Sequence, residues 1–144
     1  MTVKEYLNQI RKLDAQIQVY EAGIQKARDE LTTLRSFWPD GQPHGRGGTS
    51  DPVGEQATRL ADILTDLEKK QLETRAVLWR KRMEIVEQIG LLSDGLLVAV
   101  LFSRYVDCKT WEQIAVDMGY SYRHVVRLHG EALAKFKKIM QTCP

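Results

Sequence analysis

Tyr122, Arg123, His124 and Arg127 follow Ser121 within about two turns of a helical pattern. A guanidinium is a planar fork of donors that fits the major-groove edge of guanine or a phosphate. Imidazole and phenol groups beside it add hydrogen-bonding capacity and aromatic surface. These residue types on one exposed stretch suit recognition of a polyanion rather than bond making. Lys109 and Thr110, a short distance upstream, add a cation and a helix N-terminus. Other constellations point nowhere comparable. His124 and His129 are five apart, off the spacing that puts two ligands on one helical face. No metal site is therefore expected of them with Cys108 or Cys143. Glu112 and Asp117 fit a solvated helix surface, and no Ser/His/Asp arrangement is suggested. The "GRGG" stretch has neither the following Lys-Ser/Thr nor the preceding strand of a phosphate loop. The residues predict no enzyme, no cofactor and no bound metal.

Positioning the candidate residues requires the elements around "TWEQIAVDMGYSYRHVVRL". Thr110 is placed to cap a helix from Trp111 to Met118. Gly119 can end it in the left-handed conformation, and Ser121 can cap the next helix, from Tyr122 to about Ile139. Ile114 and Ala115 on the first helix match Val125 and Leu128 on the second, with Ala132, Leu133 and Phe136 continuing the apolar face. So short a turn makes the helices cross steeply, the geometry of a helix-turn-helix. Upstream, Ser93 is the expected N-cap of "DGLLVAVLFSRY", with Leu96, Leu97, Val100, Leu101 and Tyr105 inward.

The N-terminal part is patterned differently. Val3, Tyr6, Ile10, Leu13, Ile17, Tyr20, Ile24, Ala27, Leu31 and Leu34 alternate in steps of three and four. This heptad rhythm predicts a coiled-coil-like helix from Val3 to Ser36, begun by a Thr2–Glu5 capping box. Residues 37–52 are rich in Pro and Gly and read as a flexible loop. Asp51 and Pro52 open a second helix as N-cap and first-turn proline. Its apolar positions read Ala57, Leu60, Leu64 and Leu67, then Leu72, Ala76, Trp79, Met83 and Val86, with a broken step after Leu67. Gln71 and Thr74 stand where an unbroken seam would be apolar, and Trp79 and Trp111 read as seam or core aromatics. The expected fold is all-α: a long helical hairpin over 1–90, then a helix-turn-helix domain over 91–144. Part of the first seam (Ile10, Leu13, Ile17, Tyr20, Ile24 and Leu31) is expected to find another chain, most simply in a dimer.

The formal net charge of +2 is modest, but its distribution is uneven. From Gly95 onward Arg104, Lys109, Arg123, Arg127, Lys135, Lys137 and Lys138 outnumber Asp107, Glu112, Asp117 and Glu131. The apolar run "GLLVAVLF" is far short of a membrane span. With no apolar signal core at the start and two cysteines expected to be free thiols, a cytoplasmic protein is predicted.

The combination Thr110-Trp111-Glu112-Gln113-Ile114-Ala115, Met118-Gly119-Tyr120-Ser121, Val125, Leu128, Ala132-Leu133 resembles region 4 of bacterial sigma factors. It is also similar to sigma-like phage regulators of the ArpU/RinA type. The resemblance covers Leu91 to Phe136. It implies base reading by Tyr122, Arg123 and Arg127, and backbone contact by His124, Lys109 and the helix N-terminus at Thr110. Tyr122-Arg123-His124 replaces the Arg-Glu-Arg usual after the cap serine, so another sequence preference is expected. The implied function is a sequence-specific regulator of phage or prophage genes, acting on double-stranded DNA in a bacterial host. The alternative is a module that binds RNA polymerase or a sigma factor without reading DNA.

Overall fold

The computed structural model describes residues 1–36 and 52–142. The expected loop up to Asp51, the Asp51 cap and Cys143 lie outside the described residues. Those described form helices α1 (Val3–Leu7), α2 (Gln9–Arg35), α3 (Pro52–Ile89), α4 (Gly95–Leu101), α5 (Trp111–Met118) and α6 (Tyr122–Thr142). A π-helical turn, Phe102–Val106, follows α4 directly. There is no strand among the described residues, so the fold class is all-α. No helix among them is long and apolar enough to cross a membrane. The chain divides into two compact units, one of residues 1–14 with 76–144 and one of residues 15–75. The first residues of α2 and the last part of α3 fall in the unit that holds the C-terminal elements.

The Thr2–Glu5 capping box is present: Thr2 Oγ1 accepts from the Glu5 amide, and the Thr2 amide donates to Glu5 Oε2. The helix expected to run unbroken to Ser36 is interrupted at Asn8, whose N–H still bonds the Lys4 carbonyl.

In the unit 15–75, Ile17, Ile24, Ala27 and Leu31 are buried. Arg28 pairs with Glu68 at 2.9 Å and Glu21 with Arg75 at 2.6 Å, so the order of residues along α2 reverses along α3. All four side chains are about half exposed, and such pairs are worth roughly 0–1 kcal/mol each. A Cβ on Gly23 would meet Leu67 at 3.5 Å, ordinary contact between the helices. The face of α3 turned inward runs through Leu64, Leu67, Gln71 and Thr74 to Leu78, Ile85 and Ile89. This corrects the expected seam: Leu72, Ala76, Trp79, Met83 and Val86 are exposed. An uninterrupted helix cannot rotate its inner face between two turns, so the polar residues take the inward places. Thr74 is accommodated by donating its hydroxyl to the Lys70 carbonyl.

The other unit has its core at Leu7, Ile10, Ile85, Ile89, Leu97, Val100, Leu101 and Phe136, each almost fully enclosed. α4 and α1 both pack on α6. Tyr6 stacks near Phe136 and donates its hydroxyl to the Glu84 carboxylate at 2.6 Å. Burial and that carboxylate hold its phenol well above the ordinary value. Asp94, rather than Ser93, caps α4, its Oδ1 accepting from the Leu96 amide at 2.9 Å. A carboxylate there also complements the positive helix end, which serine does not. The later start leaves Leu96 exposed instead of inward.

Candidate nucleic-acid interface

The link into α5 is set by local hydrogen bonds. In the π-helical turn the Asp107 amide reaches back to the Phe102 carbonyl, five residues away. Cys108 then takes a left-handed backbone, φ 56°, and the Lys109 amide returns to the Ser103 carbonyl. Arg104 holds this loop from the side. Its NH1 donates to the Lys109 carbonyl at 3.0 Å, and its guanidinium lies 4.3 Å over the Trp111 ring.

α5 begins with a capping box, Thr110 Oγ1 accepting from the Gln113 amide and Gln113 Oε1 from the Thr110 amide. It ends at Gly119, with φ 71° and ψ 27°, and the Tyr120 amide returns to the Ala115 carbonyl. A Cβ at Gly119 would meet nothing within 4 Å. The backbone angle, not space, is therefore what calls for glycine. Ser121 Oγ accepts from the His124 amide at 3.2 Å and starts α6. Both expected caps and the expected turn are in place, and α6 runs to Thr142, slightly beyond the expected end.

Inside the corner Ile114, Ala115 and Val125 pack together with Trp111 and Met118 against them. Leu128, Ala132 and Phe136 are buried further along α6, and Leu133 is half-buried. His129 is the residue that the sequence reading missed. Only 6% exposed, it shares a hydrogen bond between its Nε2 and the Tyr105 hydroxyl at 2.6 Å and meets Trp111 edge-on at 4.6 Å. Burial, with Lys4 and Arg104 nearby, lowers its pKa to about 4, so the imidazole is neutral. Its place four residues after Val125, on the inward stripe of α6, was the signal available.

Tyr122, Arg123 and Arg127 are exposed on the first turns of α6, and His124 is half-buried beside them. Arg127 NH2 donates to His124 Nδ1 at 2.7 Å, and Tyr120 contacts the same imidazole edge-on at 4.6 Å. These contacts fix the orientation of His124 and steady Arg127. Ser121, Arg123, His124 and Arg127 line one shallow cleft of about 340 Å³. Lys109 is not part of it. Its ammonium pairs with Asp117 at 2.9 Å, and that contact raises its pKa. Lys109 and Asp117 line a separate depression along α5 with Glu112, Gln113 and Val116. Thr110 is engaged at the start of α5.

The residues expected to join chains are covered within this one. Ile10, Ile17, Ile24 and Leu31 are buried, and Leu13 and Tyr20 half-buried. Among the described residues no group of His, Cys, Asp and Glu is placed to hold a metal ion. No family model, curated protein or solved structure matches the chain.

Proposed function

We propose that the protein is a sequence-specific regulator that binds double-stranded DNA, with α5 and α6 as its helix-turn-helix and the start of α6 in the major groove. The observation that carries this reading is the left-handed Gly119 turn between two capped helices. Ile114, Ala115, Val125 and Leu128 close the corner, while Tyr122, Arg123 and Arg127 face outward. Arg123 and Arg127 are spaced four apart, on one face of α6, and supply donors for guanine edges. Ser121, Tyr122 and the half-buried His124 complete the contact surface. Lys109 and Thr110 approach phosphate from α5, Lys109 by exchanging Asp117 for the backbone. The resemblance to sigma region 4 supplies the transcriptional setting, in phage or prophage genes within a bacterial cytoplasm.

A second reading, a module that binds RNA polymerase or a sigma factor without reading DNA, draws on α5. Val116 there is 80% exposed beside the Lys109–Asp117 pair, an apolar point in a polar rim. A duplex gel shift under salt titration separates the two. DNA reading gives a saturable shift whose affinity falls steeply with salt. Absence of any duplex shift, with capture of purified polymerase or sigma factor, supports the second.

A further inference from the structure

Arg11, near the start of α2, and Arg104, in the π-helical turn, lie in the same compact unit and meet there. The Arg11 guanidinium donates to the Arg104 carbonyl at 3.3 Å, and the Arg104 guanidinium donates to the Lys109 carbonyl at 3.0 Å. Carbonyls orient a guanidinium but carry no charge to offset it. Arg28 and Arg75 each hold a glutamate, whereas among the described residues neither Arg11 nor Arg104 forms an ion pair with a carboxylate. Both are half-buried, and burial together with the Arg11 charge holds the Arg104 pKa below its ordinary value. Two like charges held together in this way cost free energy that a bound anion would offset. We infer that Arg11 and Arg104 together bind a phosphoryl oxyanion and, resting on the proposed reading of DNA by α6, that this anion is a phosphate of the duplex backbone.

The chemistry suits the group. A guanidinium is a planar fork of donors, and a phosphodiester has two non-bridging oxygens, one for each fork. Position points to the duplex. Arg104 lies 4.3 Å over the ring of Trp111, the first residue of α5, and Tyr122, the first residue of α6, is near enough to act on its charge. The pair thus stands beside the starts of both helices of the corner, where the positive helix ends also favour phosphate. Lys109, the cation expected there from sequence, is held by Asp117 at 2.9 Å and must release it first. The two arginines have no such partner to give up. On this account the start of α2 contributes to the interface, which the sequence pattern assigned to the C-terminal elements alone.

Gel shifts of the full chain on its selected site and on unrelated duplex, each over a salt series, test the inference. Arg11→Gln keeps a donor for the Arg104 carbonyl and removes the charge. It should weaken binding to both duplexes by the same factor and reduce the slope of log affinity against log salt by about one. Arg11→Lys should keep the parent slope. Lys12→Gln removes an exposed charge at the next position of α2 and should leave the slope unchanged. A parent-like slope for Arg11→Gln, while Arg123→Ala still relaxes base preference, overturns the inference and leaves the reading of DNA standing. An equal effect of Lys12→Gln also overturns it, since net charge alone would then account for the loss. If the parent binds no duplex, the reading of DNA falls, and titration with inorganic phosphate decides the pair. Saturable shifts of the Arg104 side-chain NMR signal, lost in Arg11→Gln, would support a site for free phosphate, and no shift would overturn it.

Discussion

The corner between α5 and α6 and the unit of α2 and α3 residues 15–75 are both helix pairs, yet they are held in opposite ways. The corner is fixed by nearby groups: two side-chain caps, a left-handed glycine and a buried Tyr105–His129 contact under Trp111. The long pair has no such devices among its described residues within 15–75. It relies on a stripe of Ile17, Ile24, Ala27 and Leu31 and on half-exposed ion pairs. Single changes to capping, turn and polar residues should therefore matter more in the corner than along the long pair. On the proposed reading, side chains held against DNA would benefit from the first kind of construction, since the first turn of α6 is set by local geometry.

The largest expected loss follows removal of the corner's centre. Ile114 is fully enclosed, and Ile114→Ala should cost about 2–5 kcal/mol in denaturant unfolding. An equal loss from Leu72→Ala, at an exposed position of α3, would mean that burial does not set the cost. Acid should act next, through His129. Its folded pKa lies below the unfolded value of about 6.5, so its contribution is complete above that value and is lost as pH falls toward 4. Between pH 7 and pH 5 the loss should be roughly 2 kcal/mol, and His129→Leu should flatten that part of the profile. A parent with the same stability at both pH values would show that the imidazole is not buried neutral.

A smaller effect is expected at the turn. Gly119→Val adds no clash, so its cost is the left-handed backbone alone, about 1–2 kcal/mol. Gly119→Asn should cost clearly less, because asparagine tolerates that conformation. Equal melting temperatures for the two variants would mean that the turn has relaxed to another geometry. The smallest change belongs to the long pair: Glu68→Ala, which removes the Arg28 partner, should shift stability by about 0–1 kcal/mol. A larger loss would mean that this surface pair does more than its exposure allows.

The same contrast explains what could be read from sequence. The Thr2, Thr110 and Ser121 caps and the Gly119 turn are short-range signals, each decided by residues within one or two turns. The α2 seam was legible because its apolar rhythm is regular. On α3 the apolar residues do not all mark the inner face. Backbone continuity instead keeps Gln71 and Thr74 inward and turns Trp79 and Met83 out. The cap of α4 is Asp94, one residue after the expected Ser93, and its carboxylate also suits the positive helix end. At the candidate interface, exposure of Tyr122, Arg123 and Arg127 followed from helical spacing. The Lys109–Asp117 pair joins a residue ahead of α5 to one near its end, eight positions on, and the Arg127–His124 contact depends on rotamers, so neither was written in the pattern.

On the proposed function, α6 reads duplex DNA with Arg123 and Arg127. Selection of duplexes from a random pool by the full chain, followed by gel shifts of the Arg123→Ala and Arg127→Ala variants on the selected site, tests it directly. The parent should enrich one motif. Each variant should lose about 1–3 kcal/mol of discrimination at one base pair while keeping its binding to unrelated duplex. Enrichment of no motif, or variants that bind the selected site like the parent, would mean that Arg123 and Arg127 do not read bases.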